Sequence, residues 1–297
     1  MRIGFIGFGE VASTFARAMQ EHGAAVAAYD LLFAHPEGRR MLAARAQDLP
    51  INFGPLPDVV GGADYVLSTV TTQAAREAAA ACAQHLRPGQ VFLDLNSTSP
   101  AAKQELARLI GPSGADFVEG AILGAVGATG AATEILTGGP KAAEAAAALS
   151  ALGLRARYYS PEIGKASMFK MLRSIFSKGL EAVLVEFLIA ARRAGMAEDL
   201  WRDVAEFMTH NRFEAVASNW VRTHAVAHSR RHHEMVQVLE TMQELGVKPV
   251  VSEAVKALFE RSASLGLEQA FPEKPGSMEE VIEHMEQRLR QILSTRS

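Results

Sequence analysis

Lys170 stands inside IGKASMFKMLRSIFSKGLEAVLVEFLIAARRAGM, a run that is mostly apolar and too long for a strand. The pattern predicts one long, largely buried helix on which Ser167, Lys170, Ser174, Ser177 and Glu181 recur at steps of three or four, making a narrow polar stripe. A lysine in apolar surroundings gives up its proton more readily, and a neighbouring cation such as Arg173 acts the same way. A neutral amine there can take the proton of an alcohol and, in reverse, return it. The same stripe facing water would do no chemistry, so the elements around it decide.

A second chemical pattern opens the chain. In RIGFIGFGEVASTFARAMQEHGAAVAAYD a strand runs into Gly7-Phe8-Gly9-Glu10-Val11-Ala12, an apolar-periodic helix follows, and a second strand ends in Asp30. Gly7 suits a tight turn, Gly9 lets backbone approach a pyrophosphate, and Ala12 permits close helix–sheet packing, with the phosphates at the helix N-terminus. Asp30 follows the glycines by roughly twenty residues, where an acid accepts hydrogen bonds from a ribose. A carboxylate there repels a 2′-phosphate, and no arginine follows directly in YDLLFAHPEG, so NAD is expected over NADP. Gly7, Phe8, Gly9, Glu10, Val11 and Asp30 are the expected cofactor contacts, joined by Val70 and Thr71 at the end of YVLSTV.

These motifs need a framework to hold them. The strand-like runs RIGFIG, AAVAAYD, YVLSTV, VFLDL and DFVEGAIL alternate with Ala-rich helical segments, the grammar of βαβ units and a parallel sheet. After RYYSPEIG helical segments take over: the long run above, then AEDLWRDVAEFMTHNRFEAVASNWVRTHA, RHHEMVQVLETMQELG, VSEAVKALFERSASLG and SMEEVIEHMEQRLRQILS. The expected architecture is an α/β Rossmann-like N-terminal domain, 1–160, plus an all-α C-terminal domain, 161–297, joined by the long helix. With 297 residues and 48% hydrophobic composition the chain is long enough for both cores.

A net charge of −3 gives no general attraction to nucleic acid or to an anionic membrane, which leaves a small-molecule partner. Cys82 is the one cysteine, so an internal disulfide framework is excluded; its Ala-rich helical setting marks a buried small residue. The chain starts directly on a strand without a leader and has no long uncharged apolar run, so a cytoplasmic protein is expected. His224, His228 and His232 share a helical face, which raises a metal site, but the adjacent arginines would repel a dication and no metal is expected.

The set GFIGFGEVA, FLDLNSTSPAAKQELA, FVEGAILGAVGATGAATEILTGG and IGKASMFKMLRSIFSKGLEA resembles the β-hydroxyacid dehydrogenase superfamily, which includes 3-hydroxyisobutyrate, tartronate semialdehyde and 6-phosphogluconate dehydrogenases. Within it the chain looks most like the bacterial phosphogluconate dehydrogenase-like branch. The resemblance is firm to about residue 195 and looser beyond. It implies a nicotinamide cofactor, a hydroxy acid substrate, a homodimer formed through the helical domain, and Lys170 at the catalytic lysine of a G-x-x-x-K-x-x-N pattern.

Departures from the family pattern bear on the substrate. Asn96 and Ser97 take the places of the Ser-Thr pair in D-x-S-T-x-x-P, with Pro100 suited to start a helix capped by Ser99. The segment that resembles D-A-P-V-S-G-G has Leu123 for the serine and Ala125 for the second glycine, keeping Gly124 for close backbone approach. Arg173, followed by Ser174, replaces the asparagine and suits a carboxylate or phosphate. His233, with Arg230 or Arg231, replaces a lysine at the start of the corresponding C-terminal helix. The leading expectation is an NAD-dependent dehydrogenase of a β-hydroxy or polyhydroxy acid, with decarboxylation open if the ketone forms β to a carboxylate. An imine reductase-like enzyme and a nucleotide-binding sensor without turnover are the alternatives, and Lys170 argues against the first of these.

Overall fold

The computed structural model describes residues 1–47 and 49–294. Two compact units are present, Met1–Ile175 and Phe176–Ser297, and the division falls inside the long helix.

In the first unit β1 (Arg2–Ile6), β2 (Ala25–Tyr29), β3 (Asn52–Phe53), β4 (Tyr65–Ser68), β5 (Val91–Asp94), β6 (Asp116–Ile122), β7 (Ile135–Gly138) and β8 (Ala156–Ser160) form one sheet, in the order β3-β2-β1-β4-β5-β6-β7-β8. Strand order reverses between β1 and β4, which opens a crevice at their C-terminal ends. Period-two alternation sends neighbouring residues to opposite faces: Phe5, Leu67 and Leu93 enter one core, Ile6, Val66 and Phe92 the other. Each such full burial is worth about 1.5–3 kcal/mol, so the two faces together fix the register. The helices α1 (Glu10–Glu21), α2 (Pro36–Ala46), α3 (Leu56–Gly62), α4 (Ala75–Ala83), α5 (Pro100–Ile110), α6 (Val126–Thr129) and α7 (Ala142–Ala151) fill the connections. As expected, Ser99 caps α5, its hydroxyl accepting from Ala102 N at 3.2 Å, and Pro100 is the first helical residue.

Two features differ from the sequence reading. β6 and β7 pair antiparallel, whereas the other strand pairs are parallel. β3, β7 and β8 lie outside the five strand-like runs: β3 has two residues, and β7 is the ILTG inside a segment whose alanines read as helix.

Cys82 is fully buried on α4, and burial pushes its thiol up to about 12. A thiol reagent at pH 8 should therefore leave the folded protein unmodified and titrate the cysteine only in denaturant; fast labelling of native protein would contradict this packing.

The long helix, α8, runs Lys165–Arg193. Its start is buried at Ala166 and Ser167, but beyond that the expectation of a largely buried helix is corrected: Leu172 is 57% and Ile175 72% exposed. An apolar circumference shows that a surface calls for cover without showing that the same chain supplies it. In the second unit α9 (Ala197–His210), α10 (Phe213–Glu244), α11 (Val250–Ala263), α12 (Leu267–Ala270) and α13 (Met278–Ser294) follow, with Ala225, Leu265, Leu267 and Val281 at the centre of their core. Glu186 of α8 caps α11, its two oxygens accepting from Val251 N and Ser252 N, each at 2.8 Å. The helix expected to begin near His233 is instead the middle of α10, and the break in the preceding segment falls at Asn211 and Arg212.

Candidate active site

The glycine turn after β1 is held from three sides. Gly7 has φ +83°, and a Cβ there would sit 2.9 Å from Thr69 O, so only glycine fits. Thr69, just past β4, donates its hydroxyl to Gly7 O at 2.7 Å. Asp30 accepts from Phe8 N through Oδ2 at 2.8 Å and from Leu32 N through Oδ1 at 2.9 Å, which ties the end of β2 to the turn. Each carboxylate oxygen retains a lone pair for a further donor.

Gly9 is the N-cap of α1, no side chain caps that end, and a Cβ built on Gly9 meets nothing within 4 Å. This cradle beside a helix N-terminus fits a pyrophosphate. Gly7, Phe8, Gly9, Asp30, Val70 and Thr71 line a cavity of about 410 Å³ there. Leu31, Arg45 and Thr69 line it as well and escaped the sequence reading; Arg45 donates to Phe8 O at 3.3 Å. No local motif announces these residues, because α2 and the β4 end reach the turn only through the fold.

A second cavity, about 490 Å³, shares Thr69, Val70 and Thr71 with the first. Glu10, Val11, Asn96, Ser97, Gly124 and Lys170 are in its wall, so Lys170 shares one cavity with residues of the glycine motif and of the turn after β5. Lys170 Nζ donates to Ser97 Oγ at 2.5 Å. The amine thus stands in the cavity with a hydroxyl beside it, next to the wall shared with the glycine-turn cavity.

Glu119, buried on β6, sets where α8 begins. Its carboxylate accepts from Gly164 N at 2.7 Å, Ala166 N at 3.0 Å and Ser167 N at 3.2 Å, and from the Ser167 hydroxyl. An acid at a helix N-terminus satisfies orphan donors and complements the helix dipole. Ser167, first on the polar stripe, is therefore spent on this cap, and Lys170 follows one turn later. Ser174, a further turn on, donates to Lys170 O at 2.9 Å.

The other expected substrate residues occupy different settings. The Asn96 amide turns inward and donates to Ser68 Oγ at 2.9 Å and Asp94 Oδ1 at 2.5 Å. Gly124, with φ +151°, reaches the cavity wall, whereas Leu123 packs against the buried Ala121, Leu136 and Ala166. Arg173 is exposed, and neither it nor Ser174 lines the cavity. In the second unit Arg231 donates to Thr223 Oγ1 at 2.7 Å, and His233 is exposed with Nδ1 paired to Ser229 O at 2.9 Å.

The histidine face of α10 is a packing feature. His224 pairs with Ser262 Oγ at 2.9 Å, and among the described residues no group of three or more His, Cys, Asp or Glu is placed to hold a metal ion. Burial, then His228 and Arg231, pull the His224 imidazole down to about 4. An unfolded histidine titrates near 6.5, so between these values the unfolded chain binds more protons and stability is lost as the pH is lowered. The thermal midpoint should drop between pH 7 and pH 5, and His224→Phe should flatten that drop; an unchanged slope in the variant would assign it elsewhere.

Residues 2–158 match the family described as the NAD binding domain of 6-phosphogluconate dehydrogenase, and residues 191–262 match a domain of unknown function, DUF1932. The chain belongs to the β-hydroxyacid dehydrogenase superfamily. It is accordingly an NAD(P)-binding oxidoreductase. A structure described as a conserved protein of unknown function similar to 3-hydroxyacid dehydrogenases is 32% identical, with TM-score 0.59, over 89% of this chain and 97% of that one. The 2-(hydroxymethyl)glutarate dehydrogenase of Eubacterium barkeri is 22% identical over 90% of this chain and 91% of its own. The imine reductase of Streptomyces aurantiacus shares the fold of the superfamily, at TM-score 0.74 and 18% identity, over 96% of this chain and 99% of that one.

Proposed function

We propose that the protein oxidises a β-hydroxy acid or polyhydroxy acid with NAD, Lys170 serving as general acid/base. The observation that carries this reading is the Lys170 Nζ to Ser97 Oγ contact of 2.5 Å in a cavity that shares Val70 and Thr71 with the glycine-turn cavity. A bound nicotinamide would supply the hydride acceptor. Gly9 and the α1 N-terminus would receive its pyrophosphate, and Asp30 would accept from its ribose and disfavour a 2′-phosphate. Lys170 accepts the hydroxyl proton as the carbinol carbon is oxidised, and Ser97 holds the amine toward that hydroxyl. The Gly124 backbone and the Asn96 turn wall the substrate side. Arg173, three residues beyond Lys170 on α8, is the cation proposed for an anionic group of the substrate, whose charge a guanidinium holds well.

The exposed apolar residues of α8, among them Leu172, Ile175 and Phe176, suit burial in a homodimer. We propose a cytoplasmic location, where a dinucleotide pool would serve such an oxidation. The test is nicotinamide absorbance with NAD or NADP against branched hydroxy acids, sugar acids, phosphosugar acids and aryl-substituted acids, with cyclic imines and NADH alongside. NAD-linked turnover of one acid class is the expected result, with released carbon dioxide showing whether decarboxylation follows. Turnover of imines alone would move the reaction to carbon–nitrogen reduction. Tight NAD binding with neither would favour a sensor.

A further inference from the structure

We infer that Lys103 is a positioning residue for the Ser97–Lys170 contact, an inference that rests on the reading of Lys170 and Ser97 as the reacting centre. Lys103 lies on α5 and is 1% exposed, yet it touches neither cavity. Its ammonium is spent on the turn after β5: it donates to Asp94 O at 2.9 Å, Asp94 Oδ2 at 2.5 Å and Asn96 O at 2.8 Å. Asp94 is fully buried, and its other oxygen accepts from the Asn96 amide at 2.5 Å. The carbonyl immediately before Ser97 is thereby fixed by Lys103, and the Thr72 hydroxyl donates to the Ser97 carbonyl at 3.2 Å.

Ser97 itself is exposed, so its hydroxyl stands on a turn whose preceding residues are tied inside the protein. A buried ion pair is a poor source of stability, since well-packed apolar residues of similar volume generally serve as well or better. What this pair supplies is geometry. It holds a turn that carries few apolar anchors of its own at the distance Lys170 requires.

The test reads Lys170 in the full chain without a substrate, by the ε-carbon NMR signal of 13C-lysine protein, assigned with Lys170→Ala. Ser97→Ala removes the contact and should displace the Lys170 signal. Lys103→Met strands the Asp94 charge, so the pair is also removed together as Asp94→Asn/Lys103→Met, whose fold is checked by circular dichroism. The double variant should displace the Lys170 signal, and adding Ser97→Ala to it should give the position seen with Ser97→Ala alone. A wild-type signal in the double variant, a sum of two displacements in the triple, or an unmoved signal in Ser97→Ala would overturn the inference. Loss of the fold in both Lys103 variants would overturn it in favour of a purely structural pair. If Lys170→Ala turned over normally, the acid/base reading would fail separately, because the NMR comparison depends on geometry and not on activity.

Discussion

Replacing Lys170 with alanine should lower turnover roughly 10²- to 10⁴-fold, the usual contribution of a positioned general acid/base. The loss belongs to the chemical step, so kcat and kcat/KM should fall together. NAD affinity should stay near that of the wild type, because Gly7, Gly9 and Asp30 shape a cavity whose wall does not include Lys170. Lys170→Arg sharpens the argument. A guanidinium keeps the charge and can donate to Ser97, but it does not give up a proton, so the arginine variant should be as inactive as the alanine one. Retained activity in Lys170→Arg would reduce the residue to electrostatics. Steady-state kinetics on the accepted acid, with NAD binding followed by fluorescence, checks both variants.

The largest stability effect is expected at Glu119. Its carboxylate accepts from three backbone N–H groups and one hydroxyl at the start of α8, all in a buried setting. Hydrogen bonds to a charged group contribute about 1.5–3 kcal/mol each and are not additive, so Glu119→Ala should cost on the order of 3–5 kcal/mol. Urea unfolding should show the midpoint falling accordingly. Gly138 reports on the same cap, since a Cβ there would lie 2.5 Å from Glu119 Oε1. Gly138→Ala should therefore move in the same direction by a smaller amount. A Glu119→Ala protein as stable as the wild type would show that the first turn of α8 is held by its apolar contacts alone.

The parts of the fold that repeat a local rule were readable from the chain. Strand, Gly7, Gly9, helix and Asp30 form a motif because the tight turn and the Asp30 hydrogen bond to Phe8 N are set within one βαβ unit, and Ser99 and Pro100 follow an equally local rule at the start of α5. Lys170 stood out as the polar residue in an apolar helix, and Ser97 was found through the motif that resembles the family. Residues that act across the fold carry no local signal. Glu119 reaches the N-terminus of α8 only because β6 brings it there, and Lys103 meets Asp94 only because α5 packs over the turn after β5. β7 was hidden because four strand residues are outweighed by their alanine-rich neighbours, and only pairing with β6 and β8 selects the extended form. The apolar composition of α8 suggests burial, but composition does not specify a cover, and Leu172 and Ile175 are exposed. The family resemblance puts a helix start at His233, whereas α10 runs unbroken through it.

On the proposed mechanism Lys170 takes the proton of an alcohol that a dinucleotide bound on the glycine turn would oxidise. Single-turnover formation of reduced nicotinamide, in protein loaded with NAD and mixed with the accepted acid, isolates that step from substrate binding and product release. The rate in Lys170→Ala should be roughly 10²- to 10⁴-fold below that of the wild type at equal NAD occupancy. Equal rates in the two proteins would remove Lys170 from the chemistry and contradict the account.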